Sequence, residues 1–157
     1  MDKRNVTKWI FASIAKHFNS LSDDDVYVHI SGQLRETDDK DAWVEVKIDG
    51  PYITKLSKGY HNLKIEISVQ SFTVQKRDYL YNNLELQGKV LDLFTESIGI
   101  YKLGNKSEDD KTFAFCILLD HNDKHTLDVA NYGAVDENEK IKVSGIEGHY
   151  YAKIKNF

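Results

Sequence analysis

The sequence predicts a single α+β domain spanning residues 1–157, with a mixed, mainly antiparallel sheet, an N-terminal helix and a central helix packed on it, and a long β-hairpin loop. Two segments carry apolar residues at helical spacing, and most of the others alternate apolar and polar residues as strands do. The chain has 157 residues, 41% of them hydrophobic and 29% charged, which is the size and composition of one globular domain.

The N-terminal helix is predicted from apolar residues that recur every four positions. They are Val6, Ile10, Ile14 and Phe18. This spacing puts them on one face of a helix, which we expect to pack on the core. The next segment, 26–30, alternates apolar residues with Tyr27 and His29, so it is predicted to be a strand.

Two half-buried strands follow, and their consecutive order predicts an antiparallel pair. Their apolar positions are Val44, Val46 and Ile48 in the first strand and Leu63, Ile65, Ile67 and Val69 in the second. Because like charges should not face each other across the pair, we expect a register that sets either Lys47 opposite Glu66 or Glu45 opposite Lys64.

A central helix is predicted over residues 79–94, with Asp78 as its N-cap. Its inward stripe is predicted to be Leu80, Leu84, Leu91, Phe94 and Ile98. Glycine inside a helix costs about 1 kcal/mol relative to alanine, so Gly88 is expected to allow a close approach of this helix to the sheet.

Four strand segments are predicted in the second half of the chain. They are residues 98–103, 113–119, 127–135 and 140–154. The second of these is apolar on both faces, so we predict a central strand in which Cys116 is buried and unreactive. In the last segment the apolar residues change phase, which predicts a bulge near Ser144 and Gly145.

The charge of the chain limits the classes of partner. A formal net charge of −4 argues against a general nucleic-acid binder, which needs a basic face to displace counterions from phosphates. Near the N-terminus Lys8 and Lys16 interrupt the apolar residues, and no apolar run reaches the roughly 18 residues of a membrane span. We therefore expect no membrane partner.

No catalytic, cofactor-binding or metal-binding residue is predicted. Neither a nucleophile elbow nor a cysteine-nucleophile signature is present. His121 and His125 could form a metal pair only on one face of a helix, and we expect them in a solvated turn. The acidic clusters at 23–25, 38–41 and 108–110 lack the alternating ligands and central glycine of a calcium loop. The sequence favours a protein that is not an enzyme.

The connection between the two paired strands, residues 50–61, is the strongest candidate for a contact surface. It exceeds the usual hairpin length of about two to five residues, and Pro51 is expected to end the first strand. The candidate contact residues are Tyr52, Ile53, Lys55, Leu56, Lys58 and Tyr60. Aromatic and apolar groups supply contact area, and lysines pair with acidic partners. A loop folded back over its own core is the alternative.

Three stretches carry a family resemblance. They are Trp43–Tyr52 (WVEVKIDGPY), Ile100–Gly104 (IYKLG) and Val143–Tyr150 (VSGIEGHY). With these stretches, and with the order of helix, strands, long connection and central helix, the chain resembles a group of small virion proteins of tailed bacteriophages. These are the head-to-tail joining and tail-terminator proteins of the phage neck. The resemblance covers most of the chain.

The resemblance implies a structural virion protein that forms a ring, usually a hexamer, at the head-tail junction. Such a ring caps the tail tube and joins it to the neck or connector proteins below the portal, and DNA only passes through its lumen. The resemblance further implies synthesis in the host cytoplasm, no cofactor and no catalytic residue. A small ligand-binding or peptide-binding module remains the alternative, and an enzyme is less favoured.

Overall fold

The computed structural model describes residues 3–24, 26–31, 41–74, 79–102, 112–122, 125–134 and 141–155. The helices are α1 (Lys3–Phe18) and α2 (Tyr79–Asp92). The strands are β1 (Tyr27–Ile30), β2 (Ala42–Lys55), β3 (Tyr60–Val74), β4 (Ser97–Lys102), β5 (Thr112–Leu119), β6 (Leu127–Ala134) and β7 (Ile141–Lys155). Within these ranges, neither helix is long and apolar enough to cross a membrane.

The strands form one sheet in the order β1-β2-β3-β7-β5-β4, and β6 pairs with β7 off this path. Among the described pairs, β1 and β2 run parallel and the others are antiparallel. One edge of β7 pairs with β3 along its whole length, whereas its other edge pairs first with β6 and then with β5. The sheet is therefore mixed, mainly antiparallel and curled, and the predicted α+β class is confirmed.

One face of the sheet is covered by the helices, with α1 against β4 and β2, and α2 against β7 and β3. The predicted stripe of α1 is confirmed, because all four residues are fully buried: Val6, Ile10, Ile14 and Phe18. The ring of Phe18 meets the ring of Phe94 edge-on, with centroids 5.5 Å apart. Since Phe94 lies just beyond the end of α2, this contact ties the two helices together over the sheet.

The predicted inward stripe of α2 is wrong at two positions, because Leu84 and Leu91 remain 43% and 40% exposed. Among the described side chains of α2, the buried ones are Asn83, Leu86 and Val90. The expectation for Gly88 is also wrong, since a Cβ added there would meet no atom within 4 Å. Phe94 and Ile98 are buried as predicted. Asp78 and the side chain of Leu80 lie outside the described residues.

A buried amide accounts for the orientation of α2. The Nδ2 of Asn83 donates to the backbone carbonyls of Ser71 and Lys142, at 3.4 and 3.3 Å, which lie on the neighbouring strands β3 and β7. Losing such partners inside a protein costs about 1–3 kcal/mol. Turning Leu84 and Leu91 inward would remove Asn83 from both carbonyls. Apolar periodicity assigns an asparagine to solvent, and this is why it selected the wrong face.

The register of β2 and β3 differs from both predicted alternatives. Lys47 lies opposite Ser68, and Asp49 lies opposite Glu66. Opposite charges are matched within each strand instead: Lys47 Nζ is 2.7 Å from a carboxylate oxygen of Asp49, and Lys64 Nζ is 3.3 Å from one of Glu66. Residues two apart share one face of a strand, so each carboxylate of the cross-strand pair keeps a lysine beside it.

The strand β5 is not central along most of its length, contrary to the prediction. It pairs with β4 from end to end, but with β7 only at Leu118 and Leu119. None of the described elements covers the outer face of the β4–β5 ribbon at Phe113, which is 54% exposed. Cys116 is exposed as well, and the prediction of a buried thiol is wrong.

The predicted bulge near Ser144 and Gly145 is also wrong, because the register between β3 and β7 runs without a shift. The irregularity lies on the partner strand β6, between Asn131 and Gly133. Residues 143–146 are buried on both faces of the sheet, since a Cβ on Gly145 would lie 2.9 Å from the ring of Tyr132. A strand covered on both faces shows no single apolar phase.

Tyr150 is the largest fully buried side chain of the core. Its hydroxyl donates to the backbone carbonyl of Thr95 at 2.9 Å. Burial raises the pKa of the Tyr150 phenol well above its usual value, and the nearby Glu96 carboxylate raises it further. The phenol is therefore held neutral in the folded protein.

We expect Tyr150→Phe to weaken the loss of stability at alkaline pH. The folded protein keeps the Tyr150 proton at pH values where the unfolded chain releases it, so stability falls as the pH rises above the unfolded pKa of about 10. Over that window the wild type should lose up to about 1.4 kcal/mol more per pH unit than the variant. Urea unfolding between about pH 8 and pH 11 measures both slopes, and equal slopes would contradict the expectation.

Candidate functional site

The predicted loop at residues 50–61 is not a loop, because both strands continue through it. Pairing runs from Tyr52 opposite Lys64 to Lys55 opposite His61. The connection is limited to residues 56–59, of which Ser57–Gly59 form a 3-10 turn. We call residues 52–63 the arm. The prediction that Pro51 ends the first strand is therefore wrong.

A bulge at Gly50 and Pro51 lets the strand continue. The register shifts between Asp49 and Tyr52, so these two residues are accommodated without a partner of their own, and a proline there removes no ladder hydrogen bond. Gly50 has φ +104°, and a Cβ on it would lie 2.8 Å from the carbonyl oxygen of Lys64. Only glycine fits this position. The backbone conformation at Gly50 sets the direction in which the arm leaves the sheet.

The six predicted contact residues divide into two groups. The exposed ones are Tyr52, Ile53, Lys55 and Lys58, and the half-buried ones are Leu56 and Tyr60. Tyr52 is 51% exposed and Ile53 is 48% exposed, which is high for apolar side chains in a paired strand. Leu56 and Tyr60 are thus partly covered in the folded chain, with Lys155 of β7 over the Tyr60 ring, whereas Tyr52 and Ile53 are presented to solvent.

The outer edge of β2 is open at the arm. β1 pairs with β2 only from Trp43 to Val46, and the backbone N–H of Ser31 closes this pairing on the carbonyl of Val46. No other described strand pairs with that edge of β2. Tyr52 and Ile53 consequently lie on an edge strand, where a second molecule can approach both faces and the edge itself.

The end of the sheet that carries the arm is basic. The arm contains Lys55, Lys58 and His61 and no acidic residue. Its partner strand β7 adds Lys153 opposite the arm and Lys155, whose Nζ lies 5.7 Å from the centre of the Tyr60 ring. The arm and the adjoining end of β7 are therefore a positively charged segment in a protein of net charge −4.

The face of the sheet that the described helices leave open forms a second candidate surface. A groove of about 520 Å³ crosses β1, β2, β3, β7 and β6, and we call it the trough. Its charged lining residues are Glu45, Lys47, Asp128 and Glu147, with His29 and the ring of Tyr132 along its sides. Three carboxylates and one lysine make the trough acidic.

One row of paired residues crosses the trough: Lys47, Ser68, Glu147 and Asp128, on β2, β3, β7 and β6. The pKa of Lys47 is raised, first by its hydrogen bond and charge contact with Asp49 and more weakly by Glu147. Glu147 and Asp128 face each other directly across two strands, which is an unfavourable arrangement for two carboxylates. Glu147 Oε1 lies 3.2 Å from His149 Nε2.

The predicted solvated turn at His121 and His125 is partly described. His121 Nε2 lies 2.6 Å from a carboxylate oxygen of Glu96, and His125 is exposed. Asn122 donates from its backbone N–H to a carboxylate oxygen of Asp120 at 2.9 Å. Among the described residues, no group of three or more histidine, cysteine, aspartate or glutamate side chains is placed to hold a metal ion.

No protein-family model fits this chain, and none of the curated proteins matches it. The arm and the trough are therefore interpreted from their own geometry and charge. The arm contains all six residues predicted for a contact surface. Sequence reasoning missed the trough, because its residues come from five strands. No local sequence pattern indicates how these strands pair and curve.

Proposed function

We propose that this chain is a structural virion protein of a tailed phage that forms a homo-oligomeric ring, a hexamer by analogy with tail terminators, at the head-tail junction. The ring joins the tail tube to the portal or connector complex as a tail terminator or neck protein, and DNA passes through its lumen. The resemblance of residues 43–52, 100–104 and 143–150 to that family motivates the proposal. The protein acts through contacts rather than through catalysis.

The exposed arm is the observation that supports this proposal best. Two large apolar side chains, Tyr52 and Ile53, are about half exposed on an edge strand beside exposed lysines. Burying such side chains at an interface contributes about 1–3 kcal/mol each. A contact that uses the arm on one copy and a different surface on the next is heterologous, and contacts of this kind close into a ring when the rotation between neighbouring copies divides a full turn.

The alternative function is a small ligand-binding or peptide-binding module, and the trough favours it. A groove of about 520 Å³ is within the size range of small-molecule sites, although such sites are mostly apolar and this lining is largely polar. The two functions differ in solution, because a ring protein must self-associate and a binding module need not.

The experiment tests whether the arm drives self-association. We expect Tyr52→Ser with Ile53→Ser to raise the dissociation constant for self-association by about a hundredfold, because two apolar contacts are lost. The free energy of unfolding of the monomer should fall by about 1–3 kcal/mol, because only about half of each side chain is buried, and the monomer should remain folded. Sedimentation equilibrium of the wild type and the variant measures the first quantity, and urea unfolding measures the second.

A matched control removes equally exposed apolar groups elsewhere. Leu84→Ser with Leu91→Ser changes two side chains of α2 that are 43% and 40% exposed. This control should assemble like the wild type. If the arm variant assembles as well as the control does, the arm is not the assembly surface and the proposed function loses its main support.

A further inference from the structure

We propose that the trough of one copy receives the basic arm of a second copy, so that the ring is held together by repeated arm-to-trough contacts. This inference rests on the proposed function and adds to it the surface that receives the arm. The occupant of the trough is accordingly a segment of a neighbouring chain, with its exposed lysines set against the carboxylates of the trough.

The arm and the trough have complementary charges. The arm and the adjoining end of β7 carry four lysines and no acidic residue among residues 52–63 and 152–155. The trough carries Glu45, Asp128 and Glu147, and its one lysine, Lys47, is already paired with Asp49 at 2.7 Å. Two surfaces of one chain with opposite charge attract each other between copies and repel their own kind, which selects a head-to-tail arrangement.

The two facing carboxylates of the trough, Asp128 and Glu147, differ from the other carboxylate pair of the sheet. Asp49 and Glu66 also face each other across two strands, but each has a lysine within ion-pair distance. Neither Asp128 nor Glu147 has a described lysine or arginine within ion-pair distance: Glu147 contacts the imidazole of His149, and it acts on Lys47 only through its charge. An incoming lysine would relieve the repulsion between the two carboxylates, as the lysines of β2 and β3 do for the other pair.

The positions of the arm and the trough require the contact to form between two molecules. The trough lies around Lys47 on β2, and the tip of the arm begins at Leu56, one residue beyond the end of that strand. Nine residues of extended chain separate them, which is roughly 30 Å. Because the arm continues the strand that forms the floor of the trough, a chain cannot place its own arm in its own trough. The arm that fills the trough comes from another molecule.

Charge reversal tests the contact from both sides. The arm variant carries Lys55→Glu with Lys58→Glu, and the trough variant carries Asp128→Lys with Glu147→Lys; all four side chains are exposed. We expect each variant alone to associate at least about tenfold more weakly than the wild type, because arm and trough then carry the same charge. Mixed in equal amounts, the two variants should assemble again, since each arm now meets an oppositely charged trough on the other variant.

The control makes the same change in net charge as the trough variant, but at a place away from the trough. Glu85→Lys with Asp92→Lys reverses two exposed carboxylates of α2 and should leave assembly at wild-type strength. Circular dichroism confirms that every variant is folded, and sedimentation velocity gives the masses alone and in mixtures. The mixed assembly should contain both variants in a one-to-one ratio, which a tag of different mass on one variant reveals.

The outcomes separate this inference from the proposed function. If the trough variant assembles like the wild type while Tyr52→Ser with Ile53→Ser does not, the arm is an assembly surface but docks elsewhere, and the arm-to-trough contact is overturned. Failure of the two folded charge variants to assemble in the mixture would overturn it as well. A wild-type chain that stays monomeric overturns both proposals.

Discussion

Phe18→Ala should lower the free energy of unfolding by about 3–5 kcal/mol, which is the usual cost of removing a fully buried aromatic side chain. Phe18 has no exposed surface and meets the ring of Phe94 at 5.5 Å, where the ends of α1 and α2 come together. The alanine would leave a cavity at this junction and weaken the attachment of both helices. A domain of this size is stable by only about 5–15 kcal/mol, so the effect is a large part of the total.

Urea unfolding followed by circular dichroism measures this effect. The control is Leu91→Ala, which removes an apolar side chain of α2 that is 40% exposed and should cost much less. If the two variants lose similar stability, the helices are not joined through Phe18 and the described core packing is wrong.

Gly50→Ala is the second change with a large expected effect. The φ of +104° at Gly50 is strained for any residue with a Cβ, and such strain costs about 1–3 kcal/mol by itself. The new Cβ would also lie 2.8 Å from the carbonyl oxygen of Lys64, which is a backbone atom that cannot rotate away. We expect the strand to shift at the bulge, so that stability falls and the arm leaves the sheet in a different direction.

The consequence of Gly50→Ala for assembly follows from this shift. The side chains of Tyr52 and Ile53 are unchanged in the variant, so a loss of assembly in the still-folded protein would show that the direction of the arm matters. Gly133→Ala is the matched control, because Gly133 also has a positive φ, +73°, but a Cβ there meets no atom within 4 Å. The control should cost less stability and assemble normally. Equal losses from both variants would contradict the steric role of Gly50.

Much of the fold could be predicted where local pattern and tertiary burial coincide. The four buried residues of α1 recur with helical spacing, and β2 and β3 alternate over their inner parts, so a period alone located them. The inward stripe of α2 was predicted wrongly because Asn83, a polar residue, is buried. Its side chain is held there by two hydrogen bonds to backbone carbonyls, which apolar periodicity does not reveal. The prediction that Cys116 is buried was wrong, because an apolar strand has the same sequence pattern whether or not another layer of the protein covers it.

The candidate site was located in the sequence but given the wrong structure. A glycine followed by a proline is a usual end of a strand, and only the return of alternation after residue 51 could have indicated that the strand continues. The bulge at Gly50 and Pro51 absorbs both residues and restores the pairing at Tyr52. The trough could not be predicted, because Asp128 and Glu147 become neighbours only through the pairing of β6 with β7.

The mass of the wild-type chain in solution, followed by sedimentation over a wide range of protein concentration, tests most directly whether this protein works by self-assembly. The account predicts a defined multiple of the monomer mass, six copies if the ring is that of a tail terminator. The Tyr52→Ser with Ile53→Ser variant should assemble only at concentrations about a hundredfold higher than the wild type requires. A wild-type chain that remains a monomer at every concentration would contradict the account.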